Sequence, residues 1–346
     1  MSADLTLGPQ VGVVGGGAWG TALAQMLASD GREVLLWARE ADVVEAVNTA
    51  NRNPRFLPGA ELHSTIRATG ELADLAALPV LLLVTPAQHL GSVLAALVPQ
   101  GADIVLCAKG IEQGTGRLMS DVAAAAAPGA ALAVLSGPTF AHEVAGGLPT
   151  AVTLACAGGE AQWARLAPVI ARPAFRPYYS ADVIGASIGG AVKNVLAIAC
   201  GVVEGLGLGA NARAALISRG FAEMQRLGLA MGAEAETLAG LSGLGDLVLT
   251  CSSSESRNFA LGMALGADGD RTGGAAALLA ERRTVAEGAF TAPVLASLAH
   301  ARGIAMPIAE GVAALLDGTI SPRALVAQLL ARPLKAEITR AEAPLG

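Results

Sequence analysis

Only three of the chain's 23 basic residues are lysines, Lys109, Lys193 and Lys335; the rest are arginines. Arginine keeps its proton at any useful pH, whereas a lysine taken out of water can lose it near neutrality and act as an acid or base. Two lysines kept in the middle of an arginine-preferring chain are therefore candidates for proton transfer; Lys335, near the C-terminus, reads as one that survives by chance. Lys193 lies in GASIGGAVKNVLAIA, where helical spacing puts Ala186, Gly189, Gly190 and Ala197 beside the lysine. The opposite stripe, Ile184, Ile188, Val192, Val195 and Ala199, is apolar. Small neighbours would let a cofactor or substrate approach the amine. Burial there would lower its pKa, as a proton donor to a developing alkoxide requires. Lys109 follows the predicted strand 103–108 and precedes Gly110, which places it at the carboxyl edge of a sheet, where ligands of open α/β folds bind.

A third constellation concerns phosphate. The β-branched run 11–14 leads into Gly15-Gly16-Gly17-Ala18-Trp19-Gly20, followed by helix-forming residues. In a G-x-G-x-x-G turn between strand and helix, the first glycine (Gly15) makes the turn and the second (Gly17) admits a pyrophosphate. The third (Gly20) lets helix and strand pack closely, and the helix N-terminus attracts the phosphates. The expected ligand is a dinucleotide. At the end of the second predicted strand, where an acidic residue would bind a ribose 2′-hydroxyl, the chain has Arg39 and then Glu40. Arg39 suits a 2′-phosphate and favours NADP(H), while Glu40 keeps NAD(H) open. Further along, GLGD puts Asp246 after a glycine-rich turn, either as a working carboxylate or as a plain helix cap. Ser256-Arg257-Asn258 opens another predicted helix. It offers a guanidinium, an amide and free backbone N–H groups to a phosphate, against the simpler alternative of a serine cap beside a surface arginine.

These residues need a scaffold that gathers them. Strand-like runs at 11–14, 33–37, 79–84, 103–108, 131–135 and 150–155 alternate with predicted helices at 21–29, 41–49, 90–97 and 118–127. Apolar strands alternating with helices predict a doubly wound α/β, Rossmann-like domain with a parallel sheet covered on both faces. Beyond about residue 181 strands give way to helical stretches at 183–203, 213–231, 258–265, 293–300, 310–317 and 321–330, the last opened by Ser321-Pro322. The expected division is a dinucleotide-binding domain over 1–182 and an all-α substrate domain over 183–346; at 346 residues, two cores are the natural expectation.

Composition narrows the partners. A net charge of −6 argues against nucleic acid. Cys107, Cys156, Cys200 and Cys251 form no Cys-x-x-Cys pair, and His63, His89, His142 and His300 are dispersed, so neither disulfides nor a metal site are expected. The mean hydropathy of +0.53 owes much to alanine and glycine. The longest stretch free of charged residues and histidine, 122–141, is alanine-rich and broken at Pro128-Gly129, so no membrane span is expected. MSADLTLGPQ lacks a basic region followed by an apolar core, which makes the cytoplasm the expected location.

In order along the chain, GGGAWGTALA, FLPG, CAKGIE, SGPTFAHE, AVKNVLAI, GLGDLVLTC, SRN, TVAEG and AMPIAEGV resemble the motifs of the bacterial soluble-type NAD(P)-dependent glycerol-3-phosphate dehydrogenases. The resemblance covers nearly the whole chain. It implies reversible reduction of dihydroxyacetone phosphate to sn-glycerol 3-phosphate, feeding phospholipid synthesis, by a homodimer. It also implies Lys193 as the acid/base, with Lys109 close to nicotinamide and substrate. Gly137, Thr139, Asp246, Ser256, Arg257 and Asn258 would contact substrate, and Ala18, Trp19, Arg39, Ala141, Arg257, Val285 and Glu287 would line the cofactor. Two departures stand out: Ala18 replaces a serine usual in the family, and Glu40 stands where some members carry another basic residue. The competing readings are a related reductase of a carboxylate, such as a β-hydroxyacid or ketopantoate dehydrogenase, and a cofactor-binding sensor without catalysis.

Overall fold

The structure, a computed structural model, describes residues 10–270, 273–280 and 286–331; Val285 and Lys335 lie outside them. Among the described residues ten strands form: Val11–Val14 (β1), Val34–Trp37 (β2), Arg52–Asn53 (β3), Leu57–Glu61 (β4), Ile66–Thr69 (β5), Val80–Leu83 (β6), Asp103–Leu106 (β7), Ala131–Ser136 (β8), Thr150–Cys156 (β9) and Phe175–Ser180 (β10). Eight make one sheet in the order β10-β9-β8-β7-β6-β1-β2-β5, while β3 and β4 pair separately. Strands β1, β6 and β7 are buried along their whole length, which is why they read as apolar runs, broken only by Asp103 at the start of β7. β1 pairs in parallel with both β2 and β6. From that pair the chain order runs outward in both directions, so a crevice opens beyond the carboxyl ends of β1 and β6.

The expectation of an all-parallel sheet needs correction at one place. β9 runs antiparallel to β8, with Ser136 opposite Thr153. The connection between them holds only the short helix Ala141–Ala145, which stays at the carboxyl edge of β8, so the chain enters β9 from that edge and runs back. β5, β10 and the β3–β4 pair were not expected. β4 carries Pro58-Gly59 and β10 carries Pro177, residues that signal turns in a sequence and are tolerated only in edge strands.

After β10 the chain is helical. Asp182 caps the helix Val183–Gly205 by accepting from Gly185 N at 2.7 Å, and also accepts from Glu234 N at 2.8 Å. This helix is long and apolar enough to cross a membrane, but 89% of its apolar window is buried inside the protein, where it forms the axis of the second core. Helices Gly209–Ala230, Asp246–Cys251, Arg257–Gly266, Glu287–Ala301 and Pro307–Asp317 pack around it. The helix expected at 293–300 starts earlier, at Glu287, and carries Pro293 in its interior.

The crossing of Val183–Gly205 and Arg257–Gly266 is close enough that a Cβ on Gly201 would lie 2.1 Å from the Phe259 carbonyl oxygen. Backbone cannot yield there as a flexible side chain would. Gly201→Val is expected to cost about 3 kcal/mol and to lower the calorimetric midpoint by roughly 6–12 °C. An unchanged midpoint would mean that the two helices sit further apart.

Candidate active site

The glycine turn sits at the crevice. Gly15 has φ +130°, and a Cβ there would lie 3.0 Å from the Val84 carbonyl, so only glycine lets β1 and β6 pass at this distance. Gly20 packs the helix Ala18–Leu27 onto the turn, with the position of its would-be Cβ 1.8 Å from Gly15 O. Gly17 forms the N-cap without a side-chain hydrogen bond, and nothing lies within 4 Å of where its Cβ would be. Uncapped N–H groups, a helix dipole and an open approach over Gly17 suit a pyrophosphate. Trp19 is half-buried, and its indole N–H has no partner among the described residues. Arg39, at the end of β2, holds its guanidinium in solvent, 76% exposed, 3.1 Å from Glu40 Oε1.

The two lysines singled out by composition meet on one carboxylate. Lys193 Nζ donates to Asp246 Oδ1 at 2.5 Å and Lys109 Nζ donates to Asp246 Oδ2 at 2.7 Å. Lys193 and Asp246 are buried. Burial pushes the Lys193 ammonium down to about 8, although the Asp246 charge pulls the other way. A lysine with that value holds its proton at neutrality and can release it.

How Asp246 arrives there is local backbone geometry. The residues before it, Leu241–Gly245, form a π-helical turn of the kind that marks functional sites. This turn lies against the long helix at Gly189, where a Cβ would come 2.4 Å from Ser242 O. Gly190 in turn lies against Ser136 Oγ and the Lys109 side chain. The small residues beside Lys193 were expected to admit a ligand. Gly189 and Gly190 admit other parts of the protein, and so bring the second lysine and the aspartate to the first.

Two polar residues passed over in the sequence complete the centre. Thr250, one helical turn after Asp246, accepts from Lys193 Nζ at 2.9 Å and donates to Asp246 Oδ1 at 3.2 Å. Asn194 donates to the Lys109 carbonyl at 3.2 Å and accepts from Asn258 Nδ2 at 2.9 Å. Asn258 Oδ1 accepts from Gly288 N at 2.9 Å, and Glu287 accepts from Ala87 N at 3.3 Å. A chain of hydrogen bonds thus links the edge beyond β7 to the long helix, to the Arg257–Gly266 helix and to the start of Glu287–Ala301, whose first residue reaches the loop after β6. The signal available was position: Asn194 adjoins Lys193, and Thr250 stands four residues after Asp246.

The remaining candidates surround this centre. The Gly137 carbonyl accepts from Lys109 Nζ and from Thr139 Oγ1, each at 3.3 Å. Ser256 caps its helix by accepting from Phe259 N at 3.2 Å, which leaves its hydroxyl hydrogen available. Asn258 spends its carbonyl and one amide hydrogen inside the protein and keeps one donor. Beside Ala141, His142 Nε2 lies 3.4 Å from Glu255, which joins the loop after β8 to the Ser256 corner. Burial raises the Glu287 carboxyl pKa, opposed by the charge of Arg257, the Ala87 N–H and the more distant charges of Lys109 and Lys193.

A doubly wound sheet with a glycine turn at its switch point, and a lysine-aspartate-lysine centre at its carboxyl edge closed by a helical half, defines a two-domain nicotinamide-dependent dehydrogenase. Residues 10–162 match the N-terminus and residues 182–327 the C-terminus of NAD-dependent glycerol-3-phosphate dehydrogenase, and the chain belongs to that family. It is 72% identical over 328 residues to the NAD(P)+ glycerol-3-phosphate dehydrogenase of Novosphingobium aromaticivorans, covering 95% of this chain and 98% of the relative. The enzyme of the same name from Erythrobacter litoralis is 68% identical, with the same coverage. Among solved structures, glycerol-3-phosphate dehydrogenase from Coxiella burnetii superposes with a TM-score of 0.87 at 38% identity, covering 94% of this chain and 99% of that one.

Proposed function

We propose that this chain reduces dihydroxyacetone phosphate to sn-glycerol 3-phosphate, reversibly, and so supplies the backbone of glycerophospholipids. The observation that carries the chemistry is the buried Asp246 carboxylate holding Lys193 and Lys109 at 2.5 and 2.7 Å. Gly15, Gly17 and Gly20 of the glycine turn, with the helix N-terminus behind them, would hold the pyrophosphate of NAD(P)H, which when bound would supply the hydride for C2 of the ketone. Lys193 polarises the C2 oxygen and gives its proton to the alkoxide as the hydride arrives. Asp246 and Thr250 hold the ammonium in place, and Lys109 adds positive charge where negative charge develops. Arg257, the N-terminus of its helix, Ser256 and the remaining Asn258 donor hold the substrate phosphate, while Gly137 and Thr139 bound the other end. Binding far from C2 is thereby used to fix C2. In this reading residues 1–182 serve the dinucleotide and 183–346 the substrate, and Trp19, Ala141 and Glu287 flank the cofactor. Val285, also expected there, lies outside the described residues. A homodimer in the cytoplasm is the working form we favour.

Initial rates of NADPH and NADH oxidation, followed by nicotinamide absorbance, test this directly. Rapid oxidation is expected with dihydroxyacetone phosphate and none with ketopantoate or a β-keto acid. Turnover of the carboxylates would favour the related reductases, and binding without turnover would favour a sensor. In the same assay Arg39→Ala is expected to raise KM for NADPH roughly ten-fold through loss of a charge-assisted contact to the 2′-phosphate, with less than about three-fold change for NADH. Equal effects on both would remove Arg39 from cofactor selection.

The pH dependence has a defined sign. Reduction needs Lys193 protonated and oxidation of glycerol 3-phosphate needs it neutral. Turnover in reduction is therefore expected to fall, and in oxidation to rise, as pH passes about 8, the value to which burial holds this lysine. Parallel profiles in the two directions would contradict Lys193 as the proton carrier.

A further inference from the structure

The middle of the glycine turn is held from the side by a residue that no part of the mechanism uses. Asn53, fully buried in the β3–β4 pair, donates from Nδ2 to Gly16 O at 2.9 Å and to Thr21 Oγ1 at 2.8 Å, and accepts from Phe56 N at 3.2 Å. Thr21, equally buried, donates to the same Gly16 carbonyl at 3.3 Å. Both donors converge on one backbone oxygen, and every polar atom of the two side chains is used.

The geometric consequence follows from the planar trans peptide. The Gly16 carbonyl and the Gly17 N–H belong to one rigid plane and point in opposite directions, so pinning the oxygen toward Asn53 aims the Gly17 N–H away from it. The same restraint fixes the entry into the helix Ala18–Leu27, which no side chain caps and whose first residue, Ala18, has no hydroxyl. Elsewhere a serine at that position could help to orient the turn; here the orientation comes from the neighbouring strand pair.

We propose that Asn53, acting through Gly16 and Thr21, is a positioning residue that sets the backbone N–H groups of the turn for the cofactor pyrophosphate. The role rests on the dinucleotide reading of the turn given above. Groups held in place before binding cost no ordering when the ligand arrives, so loss of the clamp falls on affinity and not on the chemical step.

The test is calorimetric titration of the full chain and of two variants with NADPH, NADH and adenosine 2′-monophosphate. The last carries the phosphate suited to Arg39 but none for the glycine turn. Asn53→Ala is expected to bind both dinucleotides roughly 10–30-fold more weakly, and Thr21→Val, which keeps shape and branching, roughly 3–5-fold more weakly. Adenosine 2′-monophosphate should bind all three proteins within about two-fold, and turnover at saturating cofactor should stay within about two-fold. Unchanged dinucleotide affinity in both variants would overturn the clamp. So would a parallel loss of adenosine 2′-monophosphate, which would reduce Asn53 to a support of the domain. Failure of the unmodified chain to bind NADPH would instead sink the dinucleotide reading. If Asn53→Ala does not fold, Thr21→Val decides alone, because it removes the second donor to Gly16 without emptying volume.

Discussion

Lys193→Ala is expected to lower turnover about 10³-fold or more while leaving NAD(P)H affinity within about two-fold, because a positioned general acid typically contributes 10²–10⁴-fold and in the proposed mechanism this lysine also polarises the ketone. The fold should tolerate the change. Asp246 keeps Lys109 at 2.7 Å and Thr250 at 3.2 Å, so the buried carboxylate is not left without a partner. Lys193→Arg separates charge from proton transfer: a guanidinium supplies the charge but does not release its proton at useful pH, so it should restore dihydroxyacetone phosphate binding and not turnover. Single-turnover kinetics with NADPH check both variants, and full activity in either would remove Lys193 from the chemistry.

Asp246→Asn is expected to produce the second large effect, and a different one. The carboxylate is fully buried and is the only acidic group recorded within ion-pair distance of either lysine among the described residues. Asparagine keeps the shape but leaves two ammonium groups to repel each other in a site poor in water. Removing one partner of a buried ion pair costs about 3–5 kcal/mol, so the urea midpoint should fall clearly. Lys193 should respond by losing its proton more readily, since the Asp246 charge is the main influence opposing burial. At neutral pH the acid would then be largely absent, turnover in reduction should drop by roughly 10²-fold or more, and what remains should be greatest at a lower pH than in the unmodified protein. A pH profile identical to that of the unmodified chain would show that Asp246 does not set the state of Lys193.

Much of this site was legible in the sequence because its determinants are local. The turn Gly15 to Gly20 is read from spacing alone, since the pattern of glycines between a strand and a helix is contained in six residues, although the room Gly15 makes is for the distant Val84 carbonyl. The strands β1 and β6 were legible because burial on both faces leaves an uninterrupted apolar run, and β7 because only Asp103 at its start departs from one. Lysine scarcity pointed to Lys109 and Lys193, but not to their meeting on Asp246, which depends on a π-helical turn and on contacts across 137 and 53 residues of chain. Such convergence leaves no periodic trace. Thr250, Asn194 and Asn53 were missed because their side chains act on partners chosen by the fold, and as isolated polar residues they look like any other. The small face around Lys193 was read as one that lets a cofactor or substrate approach; at Gly189 and Gly190 it is the protein's own backbone and side chains that come close. Spacing shows that something comes near, not what. β10 and β4 were hidden by their own prolines.

In the proposed function the phosphate of the substrate places the ketone against Lys193, and a comparison of kcat/KM for NADPH-dependent reduction of dihydroxyacetone phosphate with that of dihydroxyacetone isolates this anchoring. The two share the reacting carbonyl and differ only in the phosphoryl group. Loss of binding away from the reacting carbon should lower turnover as well as affinity, so dihydroxyacetone is expected to be reduced at least about 10³-fold less efficiently, with part of the loss in kcat. Comparable efficiencies for the two ketones would contradict a phosphate-anchored reductase.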